Sequence, residues 1–255
     1  MRADQLLVER GLAASRSQAQ RLIASGVQWR KPLHGWQQVD KNGALLPGDC
    51  ELQLLDDAES RFVSRGGLKL AGALQLTGVA VQGLRCLDIG QSTGGFTDCL
   101  LQHGAVQVVG VDVGHAQLHA SLRNDPRVVC LEKINARTLN ADDSPLKHHS
   151  PQSGFDLLVA DLSFISLTLV LPVLPALMQA RAHALLLVKP QFELQPADIG
   201  KGGLVKDPAS YALVQQRLTS ACEQAGFEVL HWLDSPVVGG DGNREFFIHV
   251  SRKIA

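Results

Sequence analysis

The sequence predicts an α/β fold, a mostly parallel sheet flanked by helices, with a small α+β module in front of it. Two observations support this fold class. From residue 63 onward, short apolar runs alternate with stretches of helical periodicity, which is the pattern of repeated βαβ units. The first of these runs passes through a glycine-rich turn into a helical stretch, as in folds that bind nucleotides at a strand end.

The small module covers residues 1–56. Helical spacing is present over residues 4–10 and 16–25, with Ser15 as the N-cap of the second helix and Gly26 as its stop. Two helices of this length are not stable alone, and strand-like runs at 27–30 and 50–54 complete the module. We predict that residues 57–62, in and after an acidic segment, form a linker and that 63–255 form the larger domain.

The larger domain is predicted to contain seven strands. They cover residues 84–89, 106–111, 128–131, 155–159, 184–188, 228–233 and 246–250. Helices are predicted at residues 69–76, 95–102, 169–178 and 209–225. Because ligands bind at the carboxyl ends of the strands in such sheets, polar residues that follow the strands are candidate site residues.

Composition excludes several classes of protein. With 255 residues, 45% hydrophobic and 19% charged, the chain can bury one full core and a small second module. No apolar leader or spanning segment is present and the five cysteines form no Cys-x-x-Cys pair, so we expect a cytoplasmic protein without stable membrane association. Because the net charge is only −1, nucleic-acid affinity must come from the basic residues clustered in the first module.

The glycine-rich turn lies in the run LDIGQSTGGFTD at residues 87–98. Glycines at 90, 94 and 95 let the backbone approach a ligand closely. Asp88 belongs to this strand, and Asp112 ends the next one, where such folds place the carboxylate that holds a ribose. These features predict a ligand with an adenosyl group.

The spacing of the glycines favours one cofactor over others. Dinucleotide sites need G-x-G-x-x-G to admit a pyrophosphate, whereas this loop is G-x-x-x-G-G, and it lacks the lysine of a P-loop. S-adenosylmethionine, which carries a ribose and an amino-acid tail but no phosphate, fits better. A nicotinamide cofactor and a turn that only joins strand to helix are the alternatives.

Four further charged residues lie in apolar surroundings. Asp161 and Lys189 each follow an apolar run, Lys69 lies in the helix before the first strand, and Glu245 precedes the last strand. Each of them, taken alone, is as well explained as a surface charge or a structural ion pair. Together they form an alternating Lys-Asp-Lys-Glu set at one predicted edge of the sheet.

These segments, in this order, resemble one family. The matching stretches are residues 64–70, 87–98, 111–118, 125–128, 161–166, 188–193, 200–207 and 242–245. They are similar to the TlyA (haemolysin A-like) family of FtsJ-type ribosomal RNA 2′-O-methyltransferases. The front of the chain, at residues 3–12, 15–23 and 26–27, resembles an S4 RNA-binding domain. One departure is Gln91, where the family usually has a small residue.

The resemblance implies a Rossmann-like S-adenosylmethionine-dependent methyltransferase fold, with a mostly parallel seven-stranded sheet and an N-terminal S4 domain. It implies methylation of ribosomal RNA, free or in a ribosomal subunit, at a cytidine 2′-hydroxyl. Matching the motif assigns Lys69, Asp161, Lys189 and Glu245 as the catalytic tetrad, with Lys189 as base. A lysine can be a base only where burial and a nearby cation lower its pKa, so Lys69 would serve that purpose and the two carboxylates would orient the amines.

Two groups of binding residues follow from the loop and the resemblance. The predicted cofactor contacts are Asp88, Gly90, Ser92, Gly94, Gly95, Phe96, Asp112, Asn135 and Asp161. The predicted RNA contacts are Arg2, Arg16, Arg21, Arg30, Lys31, Arg65, Lys201 and Lys206. No metal is expected, because His115 and His119 have ligand spacing but lack the glutamate of a zinc-protease motif and a third ligand.

Three alternatives remain open at this point. The first is a non-catalytic RNA-binding or ribosome-assembly factor that retains the fold. The second is a haemolysin-like membrane activity, for which the sequence has no long amphipathic segment. The third is a nicotinamide-dependent oxidoreductase.

Overall fold

A computed structural model describes residues 1–13, 15–32, 34–55, 61–239 and 242–253. Contacts divide the chain into two units, Met1–Leu68 and Lys69–Ala255. The division falls within helix α3, Gly66–Thr77. Residues 57–60 of the predicted linker lie outside the described residues.

The first unit combines two helices with a small sheet. Helix α1, Ala3–Glu9, and helix α2, Arg16–Gly26, pack together, and the strands β1, β2 and β3 are Val27–Arg30, Gln37–Gln38 and Glu51–Leu54. Both neighbours of β1 run antiparallel to it. The hydroxyl of Ser15 accepts a hydrogen bond from the Gln18 amide at 3.2 Å, so the predicted N-cap is confirmed.

The second unit contains a seven-stranded sheet, as predicted. Its strands are β4 Arg85–Ile89, β5 Gln107–Asp112, β6 Val128–Glu132, β7 Phe155–Ala160, β8 Met178–Val188, β9 Phe227–Asp234 and β10 Phe246–Arg252. They lie in the order β6-β5-β4-β7-β8-β10-β9. Strands β4 to β8 pair in parallel, and β10 runs antiparallel to both of its neighbours. The centres of β4, β5, β7, β8 and β10 are buried, as in a sheet covered on both faces, whereas the edge strands β6 and β9 are partly exposed.

The helices of the second unit follow their local signals with one exception. Beyond α3, they are α4 Gly95–Gln102, α5 Ala120–Arg123, α6 Pro190–Glu193 and α7 Ser210–Gln224. The predicted helix at 169–178 is wrong. The chain forms three short 3-10 turns there, because Pro172 and Pro175 have no amide hydrogen to donate within a helix, and Met178 begins β8.

Helix length also bears on the membrane alternative. Within the described part of the chain, no helix is both long and apolar enough to cross a bilayer.

Candidate active site

A cavity of about 920 Å³ opens at the carboxyl ends of β4, β5 and β7. Loops that follow these strands and β6 supply most of its lining, which mixes apolar residues with polar and charged ones. Five predicted cofactor contacts line it: Gly90, Ser92, Asp112, Asn135 and Asp161.

Gly90 lies where two strand ends touch. Its φ is +85°, and a Cβ added there would lie 2.4 Å from the carbonyl oxygen of Asp161. Only glycine allows this approach, which joins the cofactor loop after β4 to the end of β7.

Asp112 holds two loops at the cavity wall. Its carboxylate accepts hydrogen bonds from the backbone amide of Ser92 at 2.8 Å and from that of Gly114 at 2.6 Å. Each oxygen keeps a second lone pair, so the carboxylate can still accept from a ligand hydroxyl.

Asp88, a predicted cofactor contact, lies outside the cavity lining. It is fully buried and accepts a 2.7 Å hydrogen bond from the Thr97 hydroxyl, which in turn accepts one from Gln91. Burial raises the pKa of Asp88 to about 7. Gln91, the departure from the family pattern, is turned inward against Gly110, where an added Cβ would lie 2.0 Å from its side chain.

Gly94, Gly95 and Phe96 are also absent from the cavity lining. Gly94, with φ +95°, is the N-cap of α4, and the other two begin that helix as buried residues. They shape the turn that carries Ser92, which does line the cavity.

The structure brings the four predicted catalytic residues together in two ion pairs. The amine of Lys69 lies 2.5 Å from the carboxylate of Glu245, and the amine of Lys189 lies 2.5 Å from that of Asp161. Lys189 also donates to the Ser163 hydroxyl at 2.8 Å. Both pairs are largely buried, with side-chain exposures between 3% and 23%.

The antiparallel direction of β10 explains how Glu245 reaches this edge. Phe246 pairs with Val188, so the residue before β10 lies beside the residue after β8. Burial raises the pKa of Glu245, while Lys69 and, less strongly, Lys189 oppose that shift. The two ion pairs therefore form one electrostatically coupled group.

Two site residues that sequence reasoning missed follow Asp161. Ser163 is the acceptor for Lys189, and Phe164 has a left-handed backbone, with φ +64°, and is 91% exposed. The Phe164 ring lies against Phe192, with centroids 5.1 Å apart. Both lie within segments that carried the resemblance, but no spacing rule marked them as site residues.

The predicted RNA contacts in the first unit have partners of their own. Arg2 and Arg16 each form a 3.0 Å ion pair with the buried Asp4, and Arg30 pairs with Glu51 at 2.6 Å. Arg21 is half-buried and Lys31 is exposed. Arg2, Arg16 and Arg30 therefore contribute to the fold of this unit as well as to its surface charge.

The remaining candidates lie in the loops, outside the cavity lining. Arg65 is half-buried, Lys201 is exposed, and Lys206 donates to the Ala197 carbonyl at 2.7 Å. His119, considered as a metal ligand, caps α5 by accepting from the Ser121 amide. Across the described ranges, no three His, Cys, Asp or Glu side chains are grouped as a metal site.

Comparison with known proteins identifies the family. The family model for FtsJ-like methyltransferases matches residues 62–252. The chain belongs to the FtsJ-like methyltransferase family. This confirms the enzyme class predicted from the sequence. It also confirms S-adenosylmethionine as the methyl donor of the family.

Relatives of this FtsJ-like methyltransferase confirm the resemblance to TlyA. A 16S/23S rRNA (cytidine-2′-O)-methyltransferase TlyA of Mycobacterium tuberculosis is 44% identical, covering 97% of this chain and 88% of that protein. Hemolysin A of Brachyspira hyodysenteriae is 36% identical, covering 98% and 99% of the two chains.

Solved structures show the same fold. A hemolysin-named protein from Streptococcus thermophilus has a TM-score of 0.74 and 37% identity, covering all of this chain and 89% of that one. An S-adenosylmethionine-dependent methyltransferase from Mesorhizobium loti has a TM-score of 0.52 at 17% identity, covering 71% and 96% of the two chains. The predicted Rossmann-like methyltransferase fold is confirmed.

Proposed function

We propose that this FtsJ-like methyltransferase transfers a methyl group from S-adenosylmethionine to the 2′-hydroxyl of a ribose in ribosomal RNA, with cytidine as the target nucleoside. The observation that carries the proposal is the pair of lysines, each held by a carboxylate, at the edge of the sheet that also carries the cavity. The names of relatives such as the TlyA of Mycobacterium tuberculosis support the substrate.

The cavity suits the proposed methyl donor. Asp112 offers carboxylate oxygens for ribose hydroxyls, and the apolar residues around Ile134 and Leu162 suit an adenine ring. Gly90 and Ser92 bring backbone close to the rest of the molecule. When bound, S-adenosylmethionine supplies an activated methyl group on a sulfonium, so the protein needs to align the acceptor and remove its proton.

Lys189 is the residue proposed to remove that proton. Its neutral amine accepts the hydrogen of the ribose 2′-hydroxyl while the oxygen forms its bond to the methyl carbon, whose bond to sulfur breaks with the electron pair left on the sulfur. Asp161 and Ser163 orient the amine, and Asp161 stabilises the ammonium that results. Lys69 supplies a second positive charge near the reacting oxygen, and Glu245 limits the cost of burying it.

Each unit, taken by itself, offers groups that suit RNA. The first unit has the helices, the small sheet and the basic side chains proposed for an S4 domain, of which Arg21 and Lys31 are candidates for phosphate contact. The exposed ring of Phe164 offers a stacking surface for an unpaired base next to the catalytic lysine pair.

The test is to map methyl transfer from labelled S-adenosylmethionine to free ribosomal RNA and to isolated ribosomal subunits. We expect label at the 2′-oxygen of a cytidine, and none with Lys189→Ala, whose cofactor binding stays within a few fold. Lys147→Ala is the matched control, because Lys147 is also paired with a carboxylate, that of Asp142, but on an exposed surface. Label on a base, or full activity of Lys189→Ala, would overturn the proposal.

The same protein preparation tests the other activities. Calorimetry with S-adenosylmethionine and with a nicotinamide dinucleotide separates a methyltransferase from an oxidoreductase. Leakage of dye from liposomes, without cells, would reveal a direct membrane activity.

A further inference from the structure

Glu193 is a buried carboxylate that the proposed mechanism does not use. It lies four residues after Lys189, at the end of α6, and is 4% exposed. Both of its oxygens accept hydrogen bonds from the loop that follows β7: one from the Ser166 hydroxyl at 2.5 Å and one from the Leu167 amide at 2.7 Å. Burial raises the pKa of Glu193, and these two bonds oppose the shift.

The backbone connects Glu193 firmly to Lys189. The single turn of α6 is closed by hydrogen bonds from the Phe192 amide to the Lys189 carbonyl, 2.9 Å, and from the Leu194 amide to the Pro190 carbonyl, 3.0 Å. From α7, Arg217 donates to the Glu193 carbonyl at 2.6 Å. The carboxylate is therefore fixed relative to the catalytic lysine.

The loop that Glu193 holds carries the partners of that lysine. Its first residue, Asp161, is anchored by its amide to the Ile89 carbonyl at 3.0 Å. Its far end is the turn at Ser166, which Glu193 binds. Between these anchors lie Ser163, the acceptor for Lys189, and Phe164, whose backbone is left-handed and whose ring is exposed.

The two segments are thus joined twice. One connection consists of the Lys189 amine with Asp161 and Ser163. In the proposed mechanism this connection changes, because the amine gains and loses a proton. The other consists of Glu193 with Ser166 and Leu167, and nothing in the reaction alters it.

We propose that Glu193 is a positioning residue that keeps Asp161 and Ser163 within reach of Lys189 when its amine is neutral and the ion pair is lost. The inference depends on the proposed role of Lys189 as base. It assigns Glu193 no contact with RNA or cofactor, because it lies outside the cavity lining. The left-handed backbone of Phe164 is a further reason for such a clamp, by which we mean the hydrogen bonds of Glu193 with Ser166 and Leu167. A residue in this conformation is strained and needs support from its surroundings.

The test compares Glu193→Ala with Glu193→Gln under steady-state conditions, using the RNA that the wild type methylates. Alanine removes both acceptors, whereas glutamine keeps an acceptor for Leu167 and can donate to Ser166. We expect Glu193→Ala to lower kcat about 10- to 100-fold, while the KM for RNA and the affinity for S-adenosylmethionine stay within about twofold. Glutamine should restore most of the rate. Ser166→Ala, which removes one clamp bond, covers the case in which Glu193→Ala does not fold.

A double-mutant cycle separates positioning from a general loss of stability. If Glu193 acts through Ser163, the loss in Glu193→Ala combined with Ser163→Ala is smaller than the product of the single losses. As a control, Glu223→Gln makes the same change as Glu193→Gln on an exposed carboxylate of α7, and it should leave kcat unchanged. Independent, multiplying losses, or a normal kcat in both Glu193→Ala and Ser166→Ala, would overturn the proposal. A wild type without methyl transfer would instead overturn the proposed function.

Discussion

Each unit of the molecule contains a buried carboxylate with a cationic partner, and the two units use different cations: arginine at Asp4 and lysine at Glu245. In the first unit, Asp4 is fully buried and binds Arg2 through two hydrogen bonds of 3.0 Å, with Arg16 at 3.0 Å and Gln20 at 3.4 Å. In the second unit, each carboxylate of the tetrad has one lysine 2.5 Å away.

The difference separates a structural site from a chemical one. A guanidinium stays protonated and its planar group matches a carboxylate, so the Asp4 cluster has one charge state and a fixed geometry. A lysine amine can lose its proton and move on a flexible stem. Ion pairs in the two units are therefore similar in charge but suited to different tasks.

The largest expected effect comes from exchanging the cation at the catalytic edge. Lys189→Arg keeps a positive charge beside Asp161 but cannot give up a proton, so we expect methyl transfer to fall at least about 100-fold. The reverse exchange, Arg16→Lys, should leave the rate within about twofold, since Arg2 still binds Asp4 bidentately. A Lys189→Arg enzyme with normal turnover would remove the distinction between the two units.

Asp88 supplies a third case, a buried carboxylate that no arginine or lysine of the described chain binds. Its raised pKa of about 7 means that the folded state binds the proton more tightly than the unfolded chain, so stability falls as pH rises from about 4 to about 7. Asp88→Asn should remove this pH dependence. As pH rises from about 4 to about 7, the free energy of unfolding of the variant should increase relative to that of the wild type by a few kcal/mol. Denaturant unfolding at several pH values measures it, and parallel curves for the two proteins would contradict it.

Loss of the Asp4 charge should destabilise the first unit. Asp4→Asn weakens the bonds to Arg2 and Arg16 and should cost about 1–3 kcal/mol at neutral pH. The pKa of Asp4 is held low by Arg2, so its stabilising effect exists above the unfolded pKa and is lost as pH falls through the lower, folded value. Fluorescence of Trp29, in the first unit, would follow the transition, with Asp49→Asn as an exposed control.

The smallest effect concerns RNA affinity. Arg21→Ala with Lys31→Ala should reduce the slope of log affinity against log salt by about 1.4, the value for two phosphate contacts to a single strand. An unchanged slope would mean that another surface holds the RNA.

Local signals in the sequence predicted most elements, and long-range geometry accounts for the failures. Ser15 and the glycines before α4 marked helix starts correctly, because a cap or a turn depends on adjacent residues. The apolar stretch 169–178 has helical periodicity, but Pro172 and Pro175 cannot donate backbone hydrogen bonds, so only short 3-10 turns form there.

The sequence predicted which residues form the proposed catalytic site, but not how those residues pair with one another. The resemblance marked Lys69, Asp161, Lys189 and Glu245, but which lysine binds which carboxylate depends on the antiparallel β10. Ser163, Phe164 and Glu193 went unassigned because their roles come from contacts across the sheet.

The bond between Lys69 and Glu245 joins residues 176 positions apart. Contacts of such long sequence separation are slow to form, because loop-closure entropy opposes them until much of the structure is in place. Glu245 reaches Lys69 only from the start of β10, which pairs with the end of β8. The four proposed catalytic residues therefore come together only when this antiparallel pairing has formed.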